Sequence, residues 1–120
     1  MPELSEAAEK EEAMRERPAV TRVEAKQAVG PGWGVLLDPV YDYVETHGLT
    51  VLQVKEKFGG LTIYTSGAEP DAVQAAWSQS QRVCEWGGQE GANGRGSTGW
   101  YKTLCKEHRE RWEKGERWPS

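Results

Sequence analysis

The stretch LTVLQVKEKFGGLTIYTS, residues 49–66, joins two runs of strand-forming residues through a pair of glycines. Apolar and polar residues that alternate on both sides of a two-residue glycine turn are typical of a β-hairpin. With Gly59-Gly60 as the turn residues, Phe58 would pair with Leu61, and the large apolar side chains would share one face. That face, which we predict to be buried, consists of Leu52, Val54, Glu56, Phe58, Leu61 and Ile63.

Glu56 is the polar residue on this apolar face of the hairpin. Burial of an unpaired carboxylate is costly, so we expect Glu56 to lie at the margin of the sheet or to meet a base or backbone amides. We interpret it as a structural carboxylate. A catalytic or switch role is the alternative, because structural and catalytic acids can share such surroundings.

Helical periodicity appears on both sides of the hairpin. We predict helices at 35–47, with Asp38 as a cap, and at 70–83, with Trp77 on the inner face, and a last helix at 105–116. A short strand at 100–104 could join the hairpin, and the glycine-rich segment 87–99 is predicted to be a mobile loop. The fold class that follows is α+β, with an antiparallel β-hairpin packed on helices.

The chain divides by composition into an arm and one domain. Residues 1–17 hold six acidic and three basic side chains, which indicates a charged helix, and residues 19–29 fit a strand or a helix. We therefore predict a charged helical N-terminal arm at 1–24 and a single α+β domain at 25–120. A length of 120 residues suits one modest core.

Charge and hydropathy restrict the function classes. The net charge of −4 argues against broad nucleic-acid binding by charge alone, although residues 95–120 carry seven bases against four acids. The longest apolar runs are far shorter than a membrane span, and the N-terminus is charged where a secretory signal would be apolar. We expect a cytoplasmic protein with no membrane partner, in which two cysteines are free thiols or metal ligands.

Two short segments have the residue types of a zinc site. CEWG at 84–87 supplies one cysteine, and CKEH at 105–108 supplies a cysteine and a histidine at the start of the last helix. Structural zinc is bound by four such ligands in a tetrahedron. Cys84, Cys105 and His108 are therefore candidate ligands of an incomplete metal site.

Several motifs together resemble a family of small uncharacterised phage and prophage proteins. They are the GPGW stretch at 30–33, VKEKFGGL at 54–61, Cys84, and the segment from Gly99 to Cys105, and the resemblance covers about residues 28–110. It implies a phage-like origin and a C-terminal zinc knuckle whose first ligand pair is Cys-x-x-Cys. In this chain Gly87 stands in place of the second cysteine, so segment 84–108 is knuckle-like but degenerate.

Three states of the knuckle-like segment remain open. In the first, the metal has been lost and the two thiols pack in a small core. In the second, the segment binds zinc with a fourth ligand. In the third, Cys84 and Cys105 form a disulfide. Candidates for the fourth ligand are Glu85, Glu90, His47 and water. Zinc catalysis would also require a base and a substrate pocket that no motif here indicates, so we do not expect an enzyme.

The first functional hypothesis is a phage-derived protein–protein interaction module that inhibits a host machine or defence complex. Trp86, Trp100 and Tyr101 are its candidate contact residues, because tryptophan and tyrosine are frequent interface hot spots. The alternative is a nucleic-acid-binding knuckle in which aromatic residues stack on bases and four basic side chains bind phosphates. Those basic residues are Arg95, Lys102, Lys106 and Arg109. A metal-dependent enzyme is the third hypothesis.

Overall fold

The computed structural model describes residues 19–97 and 99–119, so the predicted arm helix at 3–17 lies outside the described residues. The predicted α+β class is confirmed by four α-helices and two antiparallel two-stranded sheets among the described residues. No described helix has both the length and the apolar character needed to cross a bilayer. The elements are α1 (Arg22–Ala28), a 3₁₀ helix (Pro31–Leu37), α2 (Asp38–Thr46), β1 (Val51–Lys57), β2 (Gly60–Thr65), α3 (Asp71–Ser80), β3 (Ala92–Arg95), β4 (Tyr101–Leu104) and α4 (Lys106–Glu113).

The central hairpin turns one residue earlier than predicted, so residues 53–57 of β1 each pair with a β2 residue two positions before the predicted partner. Lys57 pairs with Gly60, so the two turn residues are Phe58 and Gly59, and both have positive φ, 53° and 76°. A turn with positive φ at both central residues matches the twist of the strands that it joins. Phe58 is therefore exposed at the tip and does not belong to the buried face. Val54, Leu61 and Ile63 are buried as predicted.

The main core lies between the hairpin and the helices on its inner side. Trp33 and Leu37 of the 3₁₀ helix are fully buried, and Ser80 at the end of α3 binds the hairpin through its hydroxyl, which accepts from Leu61 N at 2.8 Å. The buried apolar residues of this core are Ala25, Val29, Trp33, Leu36, Leu37, Val40, Tyr41, Val44, Val51, Val54, Leu61, Ile63, Val73 and Ala76.

The ambiguous segment 19–29 forms helix α1, which crosses the boundary predicted at residue 24. Thr21 and Glu24 form a reciprocal capping box that begins the helix. Val20 N also donates to Val51 O at 2.8 Å, which attaches this segment to the hairpin. Asp38 is not the predicted side-chain cap of α2, because its carboxylate pairs with Arg22 and Lys26.

A second hairpin corrects the prediction for the C-terminal half. Strand β4 pairs with β3 and forms its own two-stranded sheet, so it does not extend the β1–β2 hairpin. Part of the segment 87–99 that was predicted to be a mobile loop is therefore a strand. The sequence did not predict this strand, because glycines have no side chain that could contribute to an alternating pattern of apolar and polar residues.

The N-terminal and C-terminal halves of the chain meet at two glycines, whose lack of a side chain lets two backbone segments come into direct contact. Gly32 N donates to Glu85 O at 2.7 Å, and a Cβ at Gly32 would clash with Cys84 O. A Cβ at Gly30 would clash with Glu85 O. The neighbouring Trp33 donates from Nε1 to Val83 O at 2.8 Å, so the 3₁₀ helix directly supports the turn that begins at Cys84.

A second junction connects the tip of the first hairpin to the second hairpin. Thr103 Oγ1 donates to Gly59 O at 2.7 Å, and Asn93 Nδ2 donates to Phe58 O at 2.9 Å. The strained turn is therefore held by strands β3 and β4. This contact brings Phe58 next to Tyr101, with the ring centroids 6.3 Å apart.

The positive φ of Phe58 predicts a stabilising substitution. A residue with a large side chain in the left-handed region costs about 1–2 kcal/mol, and asparagine tolerates that region best among residues with side chains. Phe58→Asn should therefore raise the free energy of unfolding by about 1 kcal/mol in urea denaturation. Phe58→Ala is the control, because it removes the ring and keeps a residue that does not favour positive φ; an equal gain in both variants would contradict the strain explanation.

Candidate metal centre and aromatic groove

Two turns of similar geometry present the two sulfur atoms. Gly87 N lies 3.5 Å from Cys84 Sγ, and His108 N lies 3.4 Å from Cys105 Sγ, with each amide as the donor. Each sulfur therefore accepts from the backbone three residues further along the chain. The two sulfur atoms are therefore presented by the same local backbone geometry.

The three candidate ligands meet at one point. His108 Nδ1 lies 3.4 Å from Cys84 Sγ and 3.2 Å from Cys105 Sγ, and the ligand atoms of all three residues lie within 4.8 Å of one another. Zinc bonds of about 2.3 Å to sulfur and about 2.0 Å to nitrogen, at a tetrahedral angle, would place such atoms about 3.5 Å apart. Both cysteines are free thiols in this arrangement. The cluster could therefore hold a metal ion on three corners.

A second, small core surrounds the ligands. Trp86 stacks on the ring of His108 with the centroids 4.7 Å apart, and the guanidinium of Arg111 covers Trp86 at 4.6 Å. This packing fixes the orientation of the imidazole. Trp86, which we expected at a partner-binding surface, is instead a buried support of the cluster.

The protein side chains proposed as a fourth ligand are not part of this cluster. Glu85 is directed to the opposite side of its turn, where its Oε2 accepts from Thr103 N at 3.0 Å. His47 stacks on Tyr43 at the end of α2. Glu90 forms a backbone bridge with Val83, and the described residues that meet here are the three predicted ones alone.

Lys102 connects two carboxylates beside the cluster of candidate ligands. Its Nζ lies 3.5 Å from Glu85 Oε1 and 3.6 Å from Glu56 Oε1. Glu56 also accepts from Gly59 N at 2.8 Å, which ties the turn of the first hairpin to this charge group. These contacts are those of a structural carboxylate that links the two hairpins.

Glu85 has the most unusual environment of the three charged residues. Its side chain is 1% exposed, and burial raises its pKa from 4.5 to about 7. The charge of Lys102 and the amide of Thr103 oppose this rise, since both stabilise the carboxylate. Nothing in the sequence distinguishes this glutamate from the exposed Glu90 nearby, because its burial depends on the fold.

An apolar groove of about 870 Å³ lies on the side of the hairpin next to α3. Four aromatic residues line it and all are substantially exposed: Phe58, Tyr64, Trp77 and Tyr101. Trp77 was predicted to face the core, but it is 41% exposed while its neighbours Val73 and Ala76 are buried. The periodic pattern identified the helix correctly but placed this residue, at the edge of the apolar stripe, on the wrong side.

The other residues that were predicted to bind a partner are either exposed or held by contacts within the protein. Trp100 and Tyr101 are exposed, as are Arg95 and Lys106. Arg109 donates to Ala92 O and Lys102 O, and Lys102 itself is held between carboxylates, so both have structural roles. The structure thus separates the seven predicted partner-binding residues into four at the surface and three that support the fold.

The raised pKa of Glu85 predicts that stability falls with increasing pH. The folded state holds a proton on Glu85 up to about pH 7, whereas the unfolded chain releases it near pH 4.5. The free energy of unfolding should therefore decrease by on the order of 2 kcal/mol between pH 5 and 8, and Glu85→Gln should remove most of that decrease. Urea denaturation in the presence of a chelator measures this, with the exposed Glu90→Gln as control. The same slope in Glu85→Gln and wild type would contradict the assignment.

Comparison of the chain with protein-family models, with curated proteins and with solved structures finds no match. The resemblance to phage and prophage proteins therefore stays an expectation from the motifs. The function has to be inferred from the metal cluster and the groove themselves.

Proposed function

We propose that this chain is a protein–protein interaction module that binds its partner through the aromatic groove. The observation that carries the proposal is the exposure of four aromatic side chains around one concave apolar surface. Contiguous exposed apolar surface on a small protein marks an interaction site more often than scattered single residues do. Tryptophan and tyrosine also supply much of the binding energy at protein interfaces.

The strained turn at the groove supports this role. Phe58 is 72% exposed and has a φ of 53°, although glycine or asparagine would fit the turn at less cost. Strain of this kind is typical of functional sites, where the side chain contributes to binding and not to stability. The aromatic ring at the tip of the hairpin is therefore a contact residue in this proposal.

The lining of the groove indicates the kind of partner. Leu61, Ile63 and Val73 are the buried residues of its lining, and the amides of Gln74 and Gln81 lie among the apolar residues. The charged side chains on the lining are Lys57 and Glu69. Such a surface suits a protein segment that inserts aliphatic or aromatic side chains and offers backbone groups to the amides. Together with the motif resemblance, this makes a cytoplasmic host protein the proposed partner, with inhibition of a host machine or defence complex as the proposed outcome.

We further propose that zinc occupies the cluster of Cys84, Cys105 and His108 and stabilises the C-terminal half. Two thiolates and an imidazole are ligands that zinc prefers. Cys105 directly follows strand β4, and β4 begins with Tyr101, which lines the groove. A metal at this point would therefore hold one wall of the groove in place.

Nucleic-acid binding is the second candidate, and one observation favours it. The most exposed tryptophan, Trp100, lies with Arg95 and Lys57 in one pocket and with Arg117 in an adjacent one. Aromatic and basic residues in this combination can stack on bases and neutralise phosphates. Binding of an oligonucleotide that weakens steeply with salt and is lost in Trp100→Ala would favour this candidate over the groove.

The groove can be tested by crosslinking from matched positions. A photoreactive phenylalanine analogue at Tyr64 should crosslink to one protein in host cells, whereas the same analogue at Tyr43 should not, because Tyr43 is equally exposed at 39% but does not line the groove. Loss of a hot-spot aromatic typically costs about 2 kcal/mol, so Phe58→Asn should reduce the crosslink at least tenfold.

Equal crosslinking from Tyr43 and Tyr64, or full crosslinking in Phe58→Asn, would contradict the proposal. Because Phe58→Asn is expected to stabilise the fold, a reduced crosslink in that variant cannot be attributed to unfolding.

Metal binding predicts a rise in stability that depends on the ligands. A metal that binds the folded state and is present at about a hundred times its Kd adds about 2.7 kcal/mol. Zinc should therefore raise the thermal midpoint of wild type relative to a chelator, and Cys105→Ser should abolish the gain. His47→Ala is the control, because the other histidine of the chain lies outside the cluster. A gain that survives in Cys105→Ser would rule out the assigned site.

A further inference from the structure

The three-residue cluster faces an open corner at Gly87. The Cys84 turn and the Cys105 turn have the same amide-to-sulfur hydrogen bond, and in the second turn the third residue after cysteine is the ligand His108. The equivalent residue in the first turn is Gly87, which has no side chain. A Cβ at Gly87 would lie 2.7 Å from His108 Cε1, the carbon bonded to the ligand nitrogen. By the equivalence of the two turns, the side chain absent at Gly87 is the one that would supply the fourth ligand.

The fourth ligand position is accessible from solvent, and only a flexible side chain covers it. Gly87 and Gln89 are both exposed, whereas Cys84 and His108 are buried. The carboxamide oxygen of Gln89 occupies the space where a side chain at residue 87 would begin. This amide belongs to a flexible, exposed side chain, which can leave the corner without a change in the backbone.

We propose that the metal site takes its fourth ligand from outside the chain and that this ligand is a thiolate. The proposal rests on the metal binding proposed above. The position is that of an absent cysteine side chain, now taken by the Gln89 carboxamide, and a thiolate is a donor that zinc prefers. When the ligand binds, the external thiol loses its proton to solvent, its sulfur takes the corner, and the Gln89 amide moves out. The external thiol is a cysteine of a partner or a small free thiol.

Cobalt spectroscopy on the full chain tests the proposal. Co²⁺ replaces zinc in such sites, and its visible absorption reports tetrahedral geometry and the number of thiolate ligands. Addition of 2-mercaptoethanol to the cobalt-loaded wild type should produce a saturable increase in thiolate-to-cobalt absorption. Gly87→Cys should show that absorption without added thiol and should not respond further, and Gln89→Ala should respond at a several-fold lower thiol concentration.

Two controls separate this effect from others. Val35→Cys adds a cysteine at a position that is 70% exposed and outside the small core around the ligands, so it should behave as wild type. Cys105→Ser gives the absorption of cobalt–thiol complexes free in solution, which is subtracted. Gly87 has a φ outside the left-handed region, unlike its neighbour Gly88 at 84°, so the backbone accepts a cysteine once the Gln89 and His108 side chains shift. Circular dichroism checks that Gly87→Cys is folded.

The outcomes distinguish this inference from the proposals that it builds on. A cobalt-loaded wild type that does not respond to thiol, or a Gly87→Cys variant that matches Val35→Cys, overturns the external ligand while metal binding stands. A wild type that binds no cobalt with or without thiol overturns both. Neither result bears on partner binding at the groove, which the crosslinking experiment tests separately. Addition of a peptide that contains one cysteine, in place of the small thiol, shows whether a partner's cysteine can fill the corner.

Discussion

The close approach of two backbones at Gly30 and Gly32 is the contact on which the rest of the structure depends. Any side chain at Gly32 would collide with Cys84 O, and any at Gly30 would collide with Glu85 O. Because both positions lack a Cβ, the 3₁₀ helix lies directly against the turn that presents Cys84. The hydrogen bond from Gly32 N to Glu85 O then fixes this turn relative to the main core. A small C-terminal unit with few buried residues gains a rigid support in this way.

The same contact explains why charge is buried next to the candidate metal site. The docked turn directs Cys84 to one side and Glu85 to the other. Glu85 is then enclosed and has to find its partners inside the protein, which are the amide of Thr103 and the ammonium of Lys102. Lys102 extends this connection to Glu56 and so to the tip of the first hairpin. A chain of polar contacts therefore runs from the turn that presents Cys84 to the edge of the groove.

This connection couples the two proposed activities physically. The groove is formed by elements from both halves, with Phe58 from the first hairpin and Tyr101 from the second. Thr103 and Asn93 hold the strained turn at Phe58 through its carbonyl groups and that of Gly59. Anything that orders strand β4, including a metal at Cys105, would therefore order the groove as well. These contacts with the second hairpin offset the free-energy cost of the strained turn.

The sequence by itself determined the elements that depend on local patterns. Alternation around the Gly59-Gly60 pair predicted the first hairpin, and apolar periodicity predicted α2 and α3. Charge pairs at i,i+4 spacing indicated α4, and the spacing of Cys105 and His108 predicted part of the ligand set. The turn was predicted one residue too late, because Gly59-Gly60 has the better local turn sequence, whereas the junction with Asn93 and Thr103 holds Phe58 at positive φ. Strand β3 was not predicted, because the glycine-rich sequence around it lacks the alternation of apolar and polar side chains that indicates a strand.

Only the tertiary structure decided which side chains are buried and which are free. It enclosed Glu85 and Trp86, used Lys102 and Arg109 as internal partners, and left Trp77 and Phe58 at the surface. It also showed that Gly87 faces the ring of His108. These outcomes depend on contacts between residues far apart in the chain, and local sequence patterns carry no information about which distant surface covers a given residue.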